Sequence, residues 1–172
     1  DFVIDDRDKI LKGQISPVLS GGFSNNFSYK NFSLNVLFSY ALGRDIINSE
    51  MANRFDFANR EGVDKLSGIK EITFWSKTGD YTKYPVYNPW SSVNPYQADQ
   101  TLFLENGSYA KLRSATLSYD LSNAAWFKKR KISGIRIYAT GNNLFTITNY
   151  SGTDPELVNY MGYDTGYGMP IP

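Results

Sequence analysis

Between residues 19 and 44 polar and apolar side chains alternate almost without a break. Phe23, Asn25, Phe27 and Tyr29 fall on one side of an extended chain, and Gly22, Ser24, Asn26 and Ser28 on the other. After Lys30-Asn31 the pattern resumes, with Phe32, Leu34, Val36, Phe38, Tyr40 and Leu42 against Ser33, Asn35, Leu37, Ser39, Ala41 and Gly43. A period of two belongs to strands with one apolar and one polar side. Two such runs joined by two residues predict a hairpin, and Asn31 is the residue there that tolerates the positive φ such turns require. The second run alternates over about 11 residues, close to what a tilted strand needs to cross a bilayer.

The pattern returns further on. Ala115, Leu117, Tyr119 and Leu121 share a side opposite Ser114, Thr116, Ser118 and Asp120, and Ile135, Ile137 and Ala139 alternate with Arg136, Tyr138 and Thr140. Four strands are predicted, at about 14–29, 32–44, 107–121 and 132–148, with a loop at about 45–105 in which residues 51–60 can form a short helix. A loop of this length is rare in a compact soluble domain. It is ordinary in an outer-membrane barrel, where extracellular loops are long and periplasmic turns short. On that reading the turn at Lys30 and the connection 122–133 are periplasmic, and the long loop is outside. Periodicity alone leaves a transmembrane barrel and a β-sandwich equally open. The barrel gains from aromatic residues at the ends of the apolar stripe, where rings sit at a lipid–water boundary, and from the small polar residues opposite, which suit a wet lumen.

Composition narrows the classes. The chain has 172 residues, about one domain, and 16% of them are aromatic, including 13 Tyr and 11 Phe. No apolar run approaches the roughly 18 residues of a spanning helix, which leaves barrel strands untouched. Eighteen basic and 17 acidic residues give a net charge of +1, arguing against a nucleic-acid partner. With no Cys and no His, disulfides, thiol chemistry, His-based triads and most zinc sites are excluded. No cofactor is indicated.

Candidate chemistry is sparse. Asp5, Asp6 and Asp8 suggest a calcium loop, but the Gly and distal Glu of an EF-hand pattern are missing, and a solvated loop is the better reading. Acidic residues such as Asp80, Asp99, Glu105 and Asp154 form no spacing suited to glycosidase work, so no catalytic residue is assigned and the chain reads as a non-enzyme. Within the long loop Trp75, Tyr81, Tyr84, Tyr87, Trp90 and Tyr96 cluster with Pro85, Pro89 and Pro95. Such rings either stack on a sugar or peptide or pack the loop; packing is favoured, and Trp75, Tyr84, Tyr87 and Trp90 are the first candidates for ligand contact. Lys111 and Arg113 share parity with Leu117. They either reach lipopolysaccharide phosphates from the headgroup level, or mark a solvated strand end or a bulge that changes parity. The run Lys128-Lys129-Arg130-Lys131 reads as a solvated connection.

Three stretches carry a likeness. GGFSNNFSYKNFSLNVLFSYALG, NGSYAKLRSATLSYDLS and GIRIYATGNNLFTITNYSGTDPE resemble the C-terminal barrel strands of SusC/RagA-like TonB-dependent outer-membrane transporters. The resemblance implies an all-β chain, the C-terminal part of a 22-stranded antiparallel transmembrane barrel. Phe32, Leu34, Val36, Phe38, Tyr40 and Leu42 would then face outer-membrane lipid. A plug and a segment contacting the TonB complex would precede these residues, and a final strand ending in an aromatic residue would follow. The implied function is TonB-dependent import of an oligosaccharide or peptide across the outer membrane of a Gram-negative bacterium. A SusD-like lipoprotein would act as the lid, and the transporter–lipoprotein pairs would form a dimer. Two other classes stay open: a passive porin-type barrel, and a secreted β-sandwich binding carbohydrate through the Trp75 to Trp90 aromatics.

Overall fold

The computed structural model describes residues 9–55, 72–86, 88, 96, 99–122 and 134–165. Its elements are β1 (Leu19–Tyr29), β2 (Phe32–Leu42), β3 (Asp45–Ile47), α1 (Ser49–Arg54), β4 (Leu104–Asn106), β5 (Tyr109–Asp120) and β6 (Arg136–Thr148), with a 3-10 turn at Thr101–Phe103 before β4. The chain divides into two compact units. One holds residues 17–43 and 108–149; the other holds 1–16, 44–107 and 150–171.

The first unit is an antiparallel four-stranded sheet in the order β1-β2-β5-β6. β1 and β2 pair without a slip, from Leu19 opposite Leu42 to Tyr29 opposite Phe32. Their two-residue turn places its positive φ at Lys30 (54°), not at the expected Asn31. β1 begins at Leu19, five residues inside the expected start, because Pro17 lacks an amide for the ladder and the residues before it join the other unit. β2 ends at Leu42, short of the expected 44. Gly43 follows at φ 70°, leaving the strand while its amide donates to Ser108 Oγ. β6 starts at Arg136, not 132, although Ile135 still accepts a bond from the Leu121 amide.

The second unit is built from loop segments. β3 pairs antiparallel with β4, Ile46 opposite Glu105. α1 begins at Ser49, two residues before the expected position. The reason is local: Asn48 Oδ1 accepts from the Met51 amide at 2.8 Å, satisfying a donor the first helical turn leaves unpaired. Behind the helix, Ala52, Phe55, Tyr96 and Phe103 form a buried core, joined by Ile47, Met51, Ile72, Phe74, Tyr84 and Leu102. Phe55 and Phe103 are each 1% exposed. The described part of the long loop is therefore a folded unit with its own core. Residues 150–165 belong to it as well. Ile47 N donates to Gly162 O and accepts, through its carbonyl, from Asp164 N.

Several expectations lie outside the described residues: the Asp5, Asp6 and Asp8 loop, the helix extension over 56–60, Tyr87, Trp90, and the Lys128 to Lys131 run.

Candidate functional site

Directly paired residues of neighbouring strands project to the same side of a sheet, so the register assigns each paired side chain of the first unit to a face. One face carries Leu19, Phe23, Phe27 and Tyr29 of β1 beside Phe32, Leu34, Val36, Phe38, Tyr40 and Leu42 of β2. It continues through Ala110, Leu112, Ala115, Leu117 and Tyr119 of β5 to Ile137, Ala139, Phe145 and Ile147 of β6. Asn25 brings an amide side chain to it, and Tyr29, Tyr40 and Tyr119 their phenols. Phe32 and Tyr119 lie 4.5 Å apart between ring centroids, and Phe38 meets Phe145 edge-on at 6.3 Å. The Tyr40 phenol lies across Gly21, where a Cβ would come within 2.9 Å of its oxygen, so the large ring covers the gap the glycine leaves.

The opposite face is small and polar. Ser33, Asn35 and Ser39 of β2 stand beside Ser118, Thr116 and Lys111 of β5, and these beside Tyr138, Thr140 and Thr146 of β6. Thr116 and Thr140 hydroxyls bond at 3.0 Å, Ser28 and Ser33 at 3.4 Å. Leu37 and Ala41 are its apolar members on β2. At the end of the sheet carrying Asp120, Arg136 Nη2 reaches its carboxylate at 3.4 Å. Of the readings of Lys111 and Arg113, the bulge that changes parity is the one the register takes. A bulge between Leu112 and Ser114 changes the parity of β5, placing Lys111 opposite Ser39, while Arg113 Nε donates to Ser39 Oγ at 2.9 Å.

Half of the apolar stripe stays open. Phe23, Phe27, Phe32, Leu117, Ile137 and Ile147 are each about half exposed, between 49% and 66%. An apolar surface of this size normally meets a partner or a membrane.

In the second unit, Trp75 and Tyr84 are brought together, but differently placed. A parallel bridge joins Phe74 to Tyr84, and the Trp75 amide donates to Tyr84 O at 3.0 Å. Tyr84 packs its ring 4.9 Å from Phe55 and 6.2 Å from Phe74, inside the aromatic core. Tyr96 stacks flat on Phe55 at 5.0 Å and donates its hydroxyl to Pro85 O. Burial, helped by the neighbouring Tyr84 phenol, pushes the Tyr96 hydroxyl up to about 12. Trp75 by contrast is 39% exposed. It precedes a fixed turn in which Asp80 Oδ2 accepts from Ser76 Oγ, Ser76 N and Lys77 N, and these bonds hold the Asp80 carboxyl below the usual carboxylate range. A shallow hollow of about 360 Å³ lies among Lys83, Pro85, Gln100, Thr101, Leu102 and Leu104.

One polar cluster of this unit escaped the sequence reading. Asn48, only 2% exposed, donates from Nδ2 to Glu105 Oε1 and to Ser151 Oγ, and Ser151 returns both its hydroxyl and its amide to Glu105. Nearby, the Tyr150 hydroxyl donates to Asp164 at 2.6 Å. Burial first, and that bond second, raise its pKa. No local motif announces these contacts, because their partners are 57 and 103 residues apart. Among the described residues no group of three acidic side chains is arranged to hold a metal.

No family model matches the sequence. Individual proteins do. The chain is 31% identical over 163 residues to the TonB-dependent receptor P39 of Formosa agariphila, covering 92% of this chain and 15% of that protein. It is 29% identical over 154 residues to the TonB-dependent receptor SusC of Bacteroides thetaiotaomicron, covering 90% and 14%. Among solved structures it is similar to the RagAB peptide importer in the closed-closed state, with a TM-score of 0.60, 30% identity, and coverage of 85% of this chain and 15% of that one. The open-open state gives a TM-score of 0.59 at 31% identity, covering 83% and 15%. The chain thus spans about one seventh of the length of the relatives it matches.

Proposed function

We propose, from the premise that this is a SusC/RagA-like TonB-dependent receptor sequence, that the first unit is a piece of barrel wall in the outer membrane of a Gram-negative bacterium. Its apolar face meets lipid and its polar face lines the lumen of a 22-stranded barrel. The observation that carries this reading is the apolar surface itself, continuous over four strands and open over half of its large side chains. A lipid-facing wall leaves such a surface uncovered, whereas a sandwich buries it against a second sheet. Strand edges at β1 and β6 pair with further strands, since an open edge in lipid leaves backbone groups unbonded at several kcal/mol each.

The parent protein, on this reading, imports a peptide or an oligosaccharide with energy delivered through TonB, beneath a SusD-like lipoprotein, the two forming a dimer of pairs. The long connection between β2 and β5 is extracellular on this reading, since outer-membrane barrels carry their long loops outside and their short turns in the periplasm. Trp75, held on a fixed turn and exposed, is the first described candidate for cargo contact. Tyr84 supports it from the core, and Tyr87 and Trp90 stay proposed contacts. The chain performs no chemical step.

The test is purification of the parent complex from membranes and its structure by electron cryomicroscopy. A closed barrel with Phe32, Leu34, Val36 and Phe38 against detergent, capped by a second protein, is the expected result. A water-soluble particle with that stripe buried between two sheets would sink the reading.

A further inference from the structure

β5 does not keep one alternation from end to end. Read as an unbroken strand, it would set Lys111 and Arg113 on the side of Ala115 and Leu117, among the apolar residues. The ladder breaks this frame once. Leu37 pairs with Ser114, and its neighbour Phe38 pairs with Leu112, so β5 holds one residue, Arg113, that β2 does not match. Against β6 the same two positions of β5 face Asn142 and Phe145, with Asn143 at φ 49° between them.

The break sorts side chains by polarity. Arg113 joins Ser114 on the polar face and bonds Ser39. Leu112 turns to the apolar face, opposite Phe38 and Phe145. Lys111 falls between Ser39 and Thr146 on the polar face. On β6, Leu144 folds over Gly141 of the apolar face, where a Cβ would lie 2.6 Å from its Cδ2.

We propose that this bulge is a parity device: it carries Arg113 out of register so that both cations of β5 stand on the lumen side and Leu112 on the lipid side. The inference rests on the lipid-facing reading given above. A bulge commonly re-aims side chains, and a basic residue on the lipid face of a barrel is destabilising, less so near the interface than at the midplane.

The test uses the parent receptor, freed of any cysteine, reconstituted in lipid vesicles with single nitroxide labels at Leu34, Leu117, Leu112 or Ser114. Collision with oxygen reports lipid, and collision with a water-soluble nickel chelate reports the lumen. Labels at Leu34, Leu117 and Leu112 are expected in lipid and the label at Ser114 in water. If Leu34 and Leu117 report lipid while Leu112 and Ser114 report one common environment, as an unbroken strand requires, the bulge inference fails alone. If Leu34 and Leu117 do not report lipid, the wall reading fails and takes the inference with it. A second measurement needs no label. Leu112→Arg should lower the yield of assembled receptor by several-fold more than Ser114→Arg. Equal losses would overturn the proposal.

Discussion

Asn48 does three things with one side chain. Its oxygen caps α1 through the Met51 amide, and its nitrogen joins Glu105 and Ser151. Asn48→Ala removes the cap and takes a donor from half-buried Glu105 and from Ser151, a loss of about 2 kcal/mol. Hydrogen exchange at the Met51 amide should then quicken by about 30-fold, provided local opening governs it. Tyr96 links the stability of its unit to alkaline pH. Its folded-state pKa stands at about 12, above the ordinary value near 10, so the folded state holds the proton more tightly than the unfolded one. The stability this provides is complete below pH 10 and is lost as pH rises from 10 through about 12. Tyr96→Phe should flatten the pH dependence of unfolding of this unit within that window, leaving Tyr150, also raised, as the remaining alkaline contribution.

At the level of elements, the β1–β2 turn contains a lysine where the backbone prefers a residue tolerant of positive φ. Lys30 at φ 54° is strained relative to Asn or Gly. Lys30→Asn should therefore raise the stability of the refolded parent receptor by about 0.5–1 kcal/mol, read as a higher denaturant midpoint at unchanged slope. The turn also illustrates what sequence pattern can and cannot carry. Alternation of Phe32 to Leu42 against Ser33 to Ala41 fixes the two faces of β2, because period two is a property of the backbone itself. Which turn residue takes the positive φ is decided by the twist and pairing of the two strands together, and Asn31 was the wrong choice. The bulge in β5 was legible only as one of several readings of Lys111 and Arg113. Its position depends on how Leu37 and Phe38 of another strand pair with it. The short elements of the second unit were least legible. β3 and β4 have three residues each, too few to show a period, and they meet across more than fifty positions of chain. Of the aromatic cluster, Tyr84 and Trp75 are next to each other in space, yet only their opposite burial distinguishes a core ring from an exposed one.

For the whole molecule, the separation of the two units in sequence matters as much as their contents. The sheet takes 17–43 and 108–149, while the second unit takes what comes before, between and after. A parent chain lacking residues 150–165 should keep the sheet but lose the bonds that Ile47 makes with Gly162 and Asp164 and those that Glu105 makes with Ser151. Rapid exchange at the Ile47 amide, with β1 and β2 amides still protected, is the expected pattern; unchanged protection at Ile47 would count against it.

The three-way tie of Asn48, Glu105 and Ser151 also sets an order in time. β1 and β2 meet across a two-residue turn and can pair as soon as both exist. β2 and β5 must first close an excursion of some 65 residues, at an entropic cost that grows only slowly with length. The hydroxyl that completes the tie, on Ser151, lies beyond β6. Until all four strands have been synthesised, Asn48 and Glu105 lack that partner, so the second unit matures last. A chain stalled before residue 150 would carry Asn48 and Glu105 without the Ser151 hydroxyl that ties them, so the completeness of this cluster reports that β6 has been made.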